Sequence, residues 1–288
     1  MALPDVADAR GLTVAQLDAI AGLERRVVAH DGGRLKLEWG VLRERSPDEV
    51  NDLFAWEDGT LAGFCGIYAF GAVPELAIAV DPARRRRGIG SALLARALEV
   101  VAGRRAASVL LVAPRATEAG RRFAEAKGAA FDHAEHHMEL GGPPAGPPAA
   151  RPSAAGLRLR PATDADRAAV LSILEDGFGV GAGSFSAPSP NDLSLVVERD
   201  RDVVGAVRLS LEDHAAAGVY GLAVRSDLRG QGIGRVALYD VCLEARRRGA
   251  TKVTLEVEVE NDHALGLYTS VGFELQTTED YFALTVPA

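Results

Sequence analysis

The chain has 288 residues, 48% apolar and 25% charged, which is enough apolar material for two cores and excludes wholesale disorder. Its 40 acidic residues outnumber 32 basic ones, and a net charge of −8 argues against a generic nucleic-acid binder, which needs a basic footprint. Two cysteines, Cys65 and Cys242, exclude a disulfide framework and a cysteine-rich zinc site, and they fit a reducing compartment.

The N-terminus, Met1 to Arg10, carries two aspartates and no apolar run, so it does not read as a signal peptide. Leu12 to Val28 reads as a helix, with no clear strand before it. The uncharged stretch Leu61 to Pro74 is too short to span a bilayer and is broken by glycines. A cytoplasmic protein with no membrane and no nucleic-acid partner is expected. Ile89, Leu93, Ala97 and Val101 make the apolar stripe of a second helix. Phe131 to Leu140 reads FDHAEHHMEL. Strand alternation puts His133, Glu135, His137 and Glu139 on one face, and a solvated edge strand is preferred over a metal site there. His136 falls on the other face. No metal is expected.

Leu140 to Gly156 reads LGGPPAGPPAARPSAAG and cannot hold a packed helix or strand. It predicts a linker at 141–156 between domains 1–140 and 157–288. The two halves resemble each other. Val80 to Leu94 reads VDPARRRRGIGSALL, and Val224 to Leu238 reads VRSDLRGQGIGRVAL. The Gly-Ile-Gly cores lie 144 residues apart, and the register holds without a gap to Gly128 and Gly272. Two copies of one domain follow, and since fused copies can replace a homodimer, a monomer is expected.

The second half predicts a strand at Leu157 to Thr163, a helix at Asp164 to Phe178, and strands at Leu193 to Glu198 and Val203 to Leu211 around the turn Arg199 to Asp202. A strand at Val219 to Val224, a helix opening at Gly-Ile-Gly, a strand at Val253 to Val259, a helix at Asp262 to Val271 and two short strands complete it. Each half is therefore mixed α/β (α+β). Hairpins imply antiparallel pairs, and the later crossover helix implies a parallel pair.

Arg229-Gly230-Gln231-Gly232-Ile233-Gly234 and Arg85-Arg86-Arg87-Gly88-Ile89-Gly90 both sit between a strand and a helix. Glycines let the backbone approach a phosphate, and a helix N-terminus offers free N–H groups and partial positive charge. The arginines, with Arg235 just inside the second helix, add formal charge. Neither loop has the Gly-Lys-Ser/Thr of a P-loop. A dinucleotide fingerprint at Gly232-x-Gly234-x-x-Ala237 is a weak match, because the loop follows the fourth strand and Leu93 takes the third small position in the first half.

Arg85-x-x-Gly88-x-Gly90 and Arg229-x-x-Gly232-x-Gly234 resemble the phosphate loop of the GNAT superfamily of acyl-CoA-dependent N-acyltransferases. So does Asn261-Asp262-His263-Ala264-Leu265-Gly266-Leu267-Tyr268 followed by Gly272-Phe273. The resemblance covers both halves, apart from the linker and the first dozen residues, and it implies tandem GNAT-like domains, each a mixed, mostly antiparallel sheet flanked by helices. It implies acetyl-CoA as acyl donor, held by loop N–H groups and by Asn261. Backbone of Leu222, Ala223 and Val224 would bind the pantetheine arm. Tyr268 would be the acid for the thiolate and Glu256, twelve residues before it, the base for a small-molecule or peptide amine. An amine near pKa 10 is mostly ammonium at neutral pH and needs such a base. At the 144 offset, Tyr268 maps to Ala124, Glu256 to Val112 and Asn261 to Thr117. The first half is expected to be degenerate and the second catalytic. An acyl-CoA-sensing protein with little catalysis, or turnover in the first half with Glu75 as base, are the alternatives.

Overall fold

The computed structural model describes residues 4–71, 73–145, 156–179, 191–211 and 215–287. Most of the expected linker lies outside the described residues. The chain divides into two compact units: Met1–Ala134 with Thr277–Ala288, and Glu135–Gln276. They are not the consecutive segments 1–140 and 157–288, because each half lends the end of its last strand to the other unit.

The first unit contains β1 (Ala7–Ala9), α1 (Val14–Asp31), α2 (Trp39–Arg43), β2 (Asp52–Glu57), β3 (Thr60–Tyr68), β4 (Glu75–Val80), α3 (Ile89–Gly103), β5 (Ser108–Pro114) and α4 (Glu118–Ala126). It is completed by most of β12 (Glu274–Thr285), whose Glu279–Thr285 pairs antiparallel with Pro114–Ser108. The strand order is β1-β2-β3-β4-β5-β12, antiparallel except for β4–β5. The second unit begins within β6 (Ala130–Leu140). It continues through β7 (Arg158–Pro161), α5 (Arg167–Phe178), β8 (Asp192–Arg199), β9 (Asp202–Leu211), β10 (Ala216–Val224), α6 (Ile233–Arg247), β11 (Lys252–Glu258) and α7 (Asp262–Val271). Its order is β6-β11-β10-β9-β8-β7, antiparallel except for β10–β11. Both sheets are the mixed, mostly antiparallel ones the sequence implies.

Local chemistry sets these elements. Thr13 caps α1: its hydroxyl accepts from Gln16 N at 3.3 Å and the Gln16 side chain accepts from Thr13 N at 2.9 Å. Ile20, Leu23 and Val27 then fall on one buried stripe. Asp200 and Arg201 both adopt positive φ between β8 and β9, the twist-matched hairpin turn, as Asp58 and Gly59 do between β2 and β3. β1 is a strand the sequence did not reveal, because three residues are too few for an alternation to show. The strand exchange places apolar ends in a core: Phe282 of β12 packs in the first unit, and Met138 and Leu140 of β6 pack in the second. One continuous β12 replaces the two short strands expected.

Two features of the sheets shape a site. The parallel pairs are short: β4 and β5 pair from Glu75↔Leu110 to Ala77↔Val112, and β10 and β11 from Ala216↔Lys252 to Gly218↔Thr254. Beyond these residues the β4–β5 and β10–β11 pairings do not continue among the described residues, and the strands part. On the parting strand itself, only the second unit adds an irregularity. The β10–β9 register slips between Tyr220 and Ala223, a bulge at Gly221-Leu222, whereas β4 pairs evenly with β3 from Glu75 to Val80.

Candidate active site

Each glycine loop joins the parting strand to the helix behind it. Gly88 and Gly232 adopt left-handed backbone at φ 88° and 87° as the caps of α3 and α6, a region that favours glycine. The helix ladders begin with Ala92 N to Gly88 O and Val236 N to Gly232 O. The backbone N–H groups just ahead lie outside the ladder, at the positive end of the helix dipole. A helix start of this form can act as an anion cradle, and it is present in both units.

The arginines of the motif have partners within the protein. Arg229 donates to Val224 O and to Asp176 Oδ2, both at 2.9 Å, and Asp176 also accepts from Ser226 N at 3.1 Å. In the first unit Arg85 donates to Val80 O at 3.2 Å and to Asp31 Oδ1 at 2.9 Å. Each motif arginine therefore clamps its loop to the end of the preceding helix, α5 or α1. Their charge is paired, with Arg85 and Asp31 partly buried and Arg229 and Asp176 exposed. Arg235 donates to Ser270 O of α7, and Arg87 lies 3.6 Å from Glu57. Arg86 is exposed with φ 65°.

α7 carries Tyr268. Asn261 caps this helix by accepting from Ala264 N at 3.0 Å, so its side chain has a structural partner. Tyr268 packs against the core of the second unit, with its ring 6.2 Å from that of Phe273. Burial pushes its hydroxyl above the usual tyrosine value near 10, which keeps the phenol protonated at neutral pH. A Cβ at Gly234 would lie 3.5 Å from Leu267 and 3.7 Å from Val224, so the loop, the end of β10 and the Tyr268 turn meet. Leu222 and Val224 pack towards α6, and Ala223 packs towards α5.

Glu256 points to the other face of β11, between Leu255 and Val257, which are buried on the α6–α7 side. This α5 face is polar: Asp192, Arg208, Tyr220, Thr254 and Glu256 share it by strand alternation. The Arg208 guanidinium sits 5.3 Å over the Tyr220 ring and 3.9 Å from Asp192 Oδ2. Tyr268 and Glu256 therefore lie on opposite faces of the sheet, beside the opening between β10 and β11.

The matching place in the first unit is filled. Leu35, Lys36 and Leu37 lie against Ala77, Ile78, Ala79, Val112 and Pro114, around a void of only about 20 Å³. Buried Lys36 donates to the Tyr281 hydroxyl and stands 3.3 Å from Glu75 Oε2. Glu75, the base of the alternative reading, is thus half of an ion pair. The stretch between α5 and β8 that corresponds to Leu35–Leu37 is outside the described residues.

The histidine run is shared out. His133 stacks on Tyr281 at 4.3 Å and pairs with Asp132, whereas His137 faces Glu256. Among the described residues no group of three or more His, Cys, Asp or Glu side chains is placed to hold a metal ion. Cys65 and Cys242 are buried, and burial pushes the Cys242 thiol up to about 12. Among the described residues no helix is long and apolar enough to cross a membrane.

The profile of the Acetyltransferase (GNAT) family matches residues 21–129 and 168–273. The chain belongs to this family. It is 30% identical over 284 residues to the mycothiol acetyltransferase of Kytococcus sedentarius, covering 91% of this chain and 92% of that one. It is 33% identical over 85 residues to an acetyltransferase of Sodalis glossinidius, covering 30% of this chain and 59% of the relative. Among solved structures, a GCN5-related N-acetyltransferase from Sphaerobacter thermophilus superposes with a TM-score of 0.78 at 21% identity, covering 100% and 98% of the two chains. A tandem GNAT protein from the clavulanic acid biosynthesis pathway gives 0.71 at 18% identity, with 99% of each chain covered. These two share the fold, tandem architecture included. The chain is a tandem GNAT protein of acetyltransferase kinship.

Proposed function

We propose that this GNAT protein moves an acetyl group from acetyl-CoA to a primary amine of a small molecule or peptide, and that the chemistry belongs to the second unit. The observation that carries the assignment is the bulge at Gly221-Leu222 on the parting strand β10. A bulge releases backbone N–H groups from the ladder and turns them aside. Here it does so beside the opening, where a thioester carbonyl threaded past the α6 cradle needs a donor for its oxyanion. β4 has no such bulge.

The roles follow from the two faces. Acetyl-CoA lies with its pyrophosphate on the N–H groups of the α6 cradle and its pantetheine arm along Leu222 to Val224. The ammonium of the acceptor arrives on the α5 face and loses a proton to Glu256. The free amine attacks the carbonyl, and the tetrahedral oxyanion is held by β10 backbone donors. On collapse the C–S bond breaks, Tyr268, kept protonated by burial, gives the thiolate a proton, and the resulting phenolate is reprotonated by the second proton of the attacking nitrogen, leaving a neutral amide. Tyr220 and Arg208 wall the acceptor side. In the first unit the Lys36 plug and the absent acid and base favour a supporting role.

The test is release of free CoA thiol from acetyl-CoA across a panel of amines. Amine-dependent release is expected. Tight acetyl-CoA binding with no release for any amine would favour an acyl-CoA sensor.

A further inference from the structure

The structure assigns His137 as a positioning residue for Glu256, supplied to the second unit by the strand that the N-terminal half of the chain lends it. The inference rests on the reading of Glu256 as base. His137 is the direct cross-strand partner of Glu256 in the antiparallel β11–β6 ladder, flanked by the pairs Leu255↔Met138 and Val257↔His136. Opposed residues on one face of such a ladder interact as a unit. The side that faces Glu256 is Nδ1, 3.9 Å from Oε1, and the two side chains are 14% and 22% exposed. That places an imidazole against a carboxylate at the rim of the polar face and out of bulk water.

A separation of 3.9 Å is ion-pair range, one small side-chain rotation or one water away from a hydrogen bond. Such contacts in free enzymes tighten when the substrate is in place. The first unit supplies a natural contrast. At the same register Val112 opposes Tyr281, and Tyr281 is occupied by Lys36. Where the carboxylate is missing, the imidazole is missing too. The proton balance is simple. The ammonium proton passes to the Glu256 carboxylate, the carboxylic acid passes it to the neutral Nδ1 of His137, and the imidazolium releases it to water, restoring both groups for the next cycle. In this role His137 acts only through Glu256.

The experiment is a double-mutant cycle on the full chain, with kcat and KM for the best amine and a separate acetyl-CoA dissociation constant. His137→Phe keeps a ring and removes both nitrogens. It should lower kcat tenfold or more, with acetyl-CoA affinity within about twofold. His137→Asn, which keeps a polar group where Nδ1 stands, should recover part of the loss. It also serves if the phenylalanine variant folds poorly. In a Glu256→Gln background His137→Phe should cost less than twofold, because the group it serves is gone. If Glu256→Gln lowers kcat while both His137 variants match the parent, the inference is overturned and the base reading stands. Additive losses also overturn it, since His137 would then act independently. If Glu256→Gln leaves kcat unchanged with chemistry shown to limit turnover, the base reading itself fails.

Discussion

The face of the sheet beneath α1 and the face beneath α5 occupy the same place in two copies of one fold, and they are built from opposite materials. Beneath α1, Phe54, Phe64, Tyr68, Ala77 and Ala79 are buried in one cluster with Ile20, Leu23 and Val27. Beneath α5, the matching cluster among the described residues holds Ile173, Leu174, Ala206 and Ala223, and the strands carry Arg208, Tyr220 and Glu256. The backbone differs as well, with an even β4 against a bulged β10. What the units share is the cradle and its arginine clamp. The two copies thus share the glycine loop, while the face beneath α1 is core and the face beneath α5 carries polar side chains. The difference teaches that the glycine motif reports the fold, and that the strand faces report where chemistry is possible.

The largest expected effect tests the cradles against each other. Gly232→Glu puts bulk and negative charge where phosphate is proposed to sit and should abolish acetyl transfer. Gly88→Glu should leave substantial activity. The two glycines sit at nearly the same φ, so backbone strain is matched between the variants. Circular dichroism and the thiol-release assay decide. Loss with Gly88→Glu and retention with Gly232→Glu would reverse the assignment and turn attention to Glu75.

The acid comes next. Tyr268→Phe keeps the packed ring and removes the donor, and kcat should fall roughly tenfold to a thousandfold, the range of lost general acid catalysis, with acetyl-CoA affinity within a few fold. Because burial raises the Tyr268 value above 10, the phenol stays protonated as pH rises, and parent kcat should not decline on the alkaline side below about pH 10. A decline centred near pH 8 would assign the acid to another group.

The plug of the first unit should matter to stability and not to turnover. Lys36→Met leaves Glu75 without its ion-pair partner in a buried place, at a cost of roughly 1–3 kcal/mol. Thermal unfolding should move down by several degrees while the acetyl-transfer rate of the folded protein stays within twofold. A large drop in turnover would mean that the first unit contributes to chemistry.

The same contrast explains what could be read from the sequence. The loops, the duplication and the mixed sheet were legible because each is local: glycines at fixed spacing, a 144-residue offset, and alternation within single strands. The alternation of Val203–Leu211 already sets Arg208 and Ser210 apart from Val207 and Leu209. The strand exchange was not legible, since nothing within β6 or β12 says which sheet edge it will join. His137 was placed on a wet face, and its partner Glu256, more than a hundred residues away, is fixed only by β-ladder register. The bulge leaves one faint signal, Gly221 in an otherwise apolar strand. The ion pairs of Arg85 and Arg229 were not legible because Asp31 and Asp176 lie more than fifty residues away in the chain.

The smallest expected effect sharpens the comparison at the last helix of each copy. Asn261 caps α7 through Ala264 N, whereas Thr117, its counterpart before α4, makes no side-chain capping bond. Asn261→Ala should therefore destabilise the protein by about 1 kcal/mol, the usual worth of an N-cap, and Thr117→Ala by a few tenths at most. Asn261→Asp separates capping from ligand binding. Aspartate caps as well as asparagine and suits the positive helix end, so stability should be kept. If the Asn261 side chain instead touched the CoA phosphates, the new negative charge would weaken acetyl-CoA binding tenfold or more. Retained stability with affinity within about twofold is the expected result, and it would leave Asn261 as a residue that aims the Tyr268 helix.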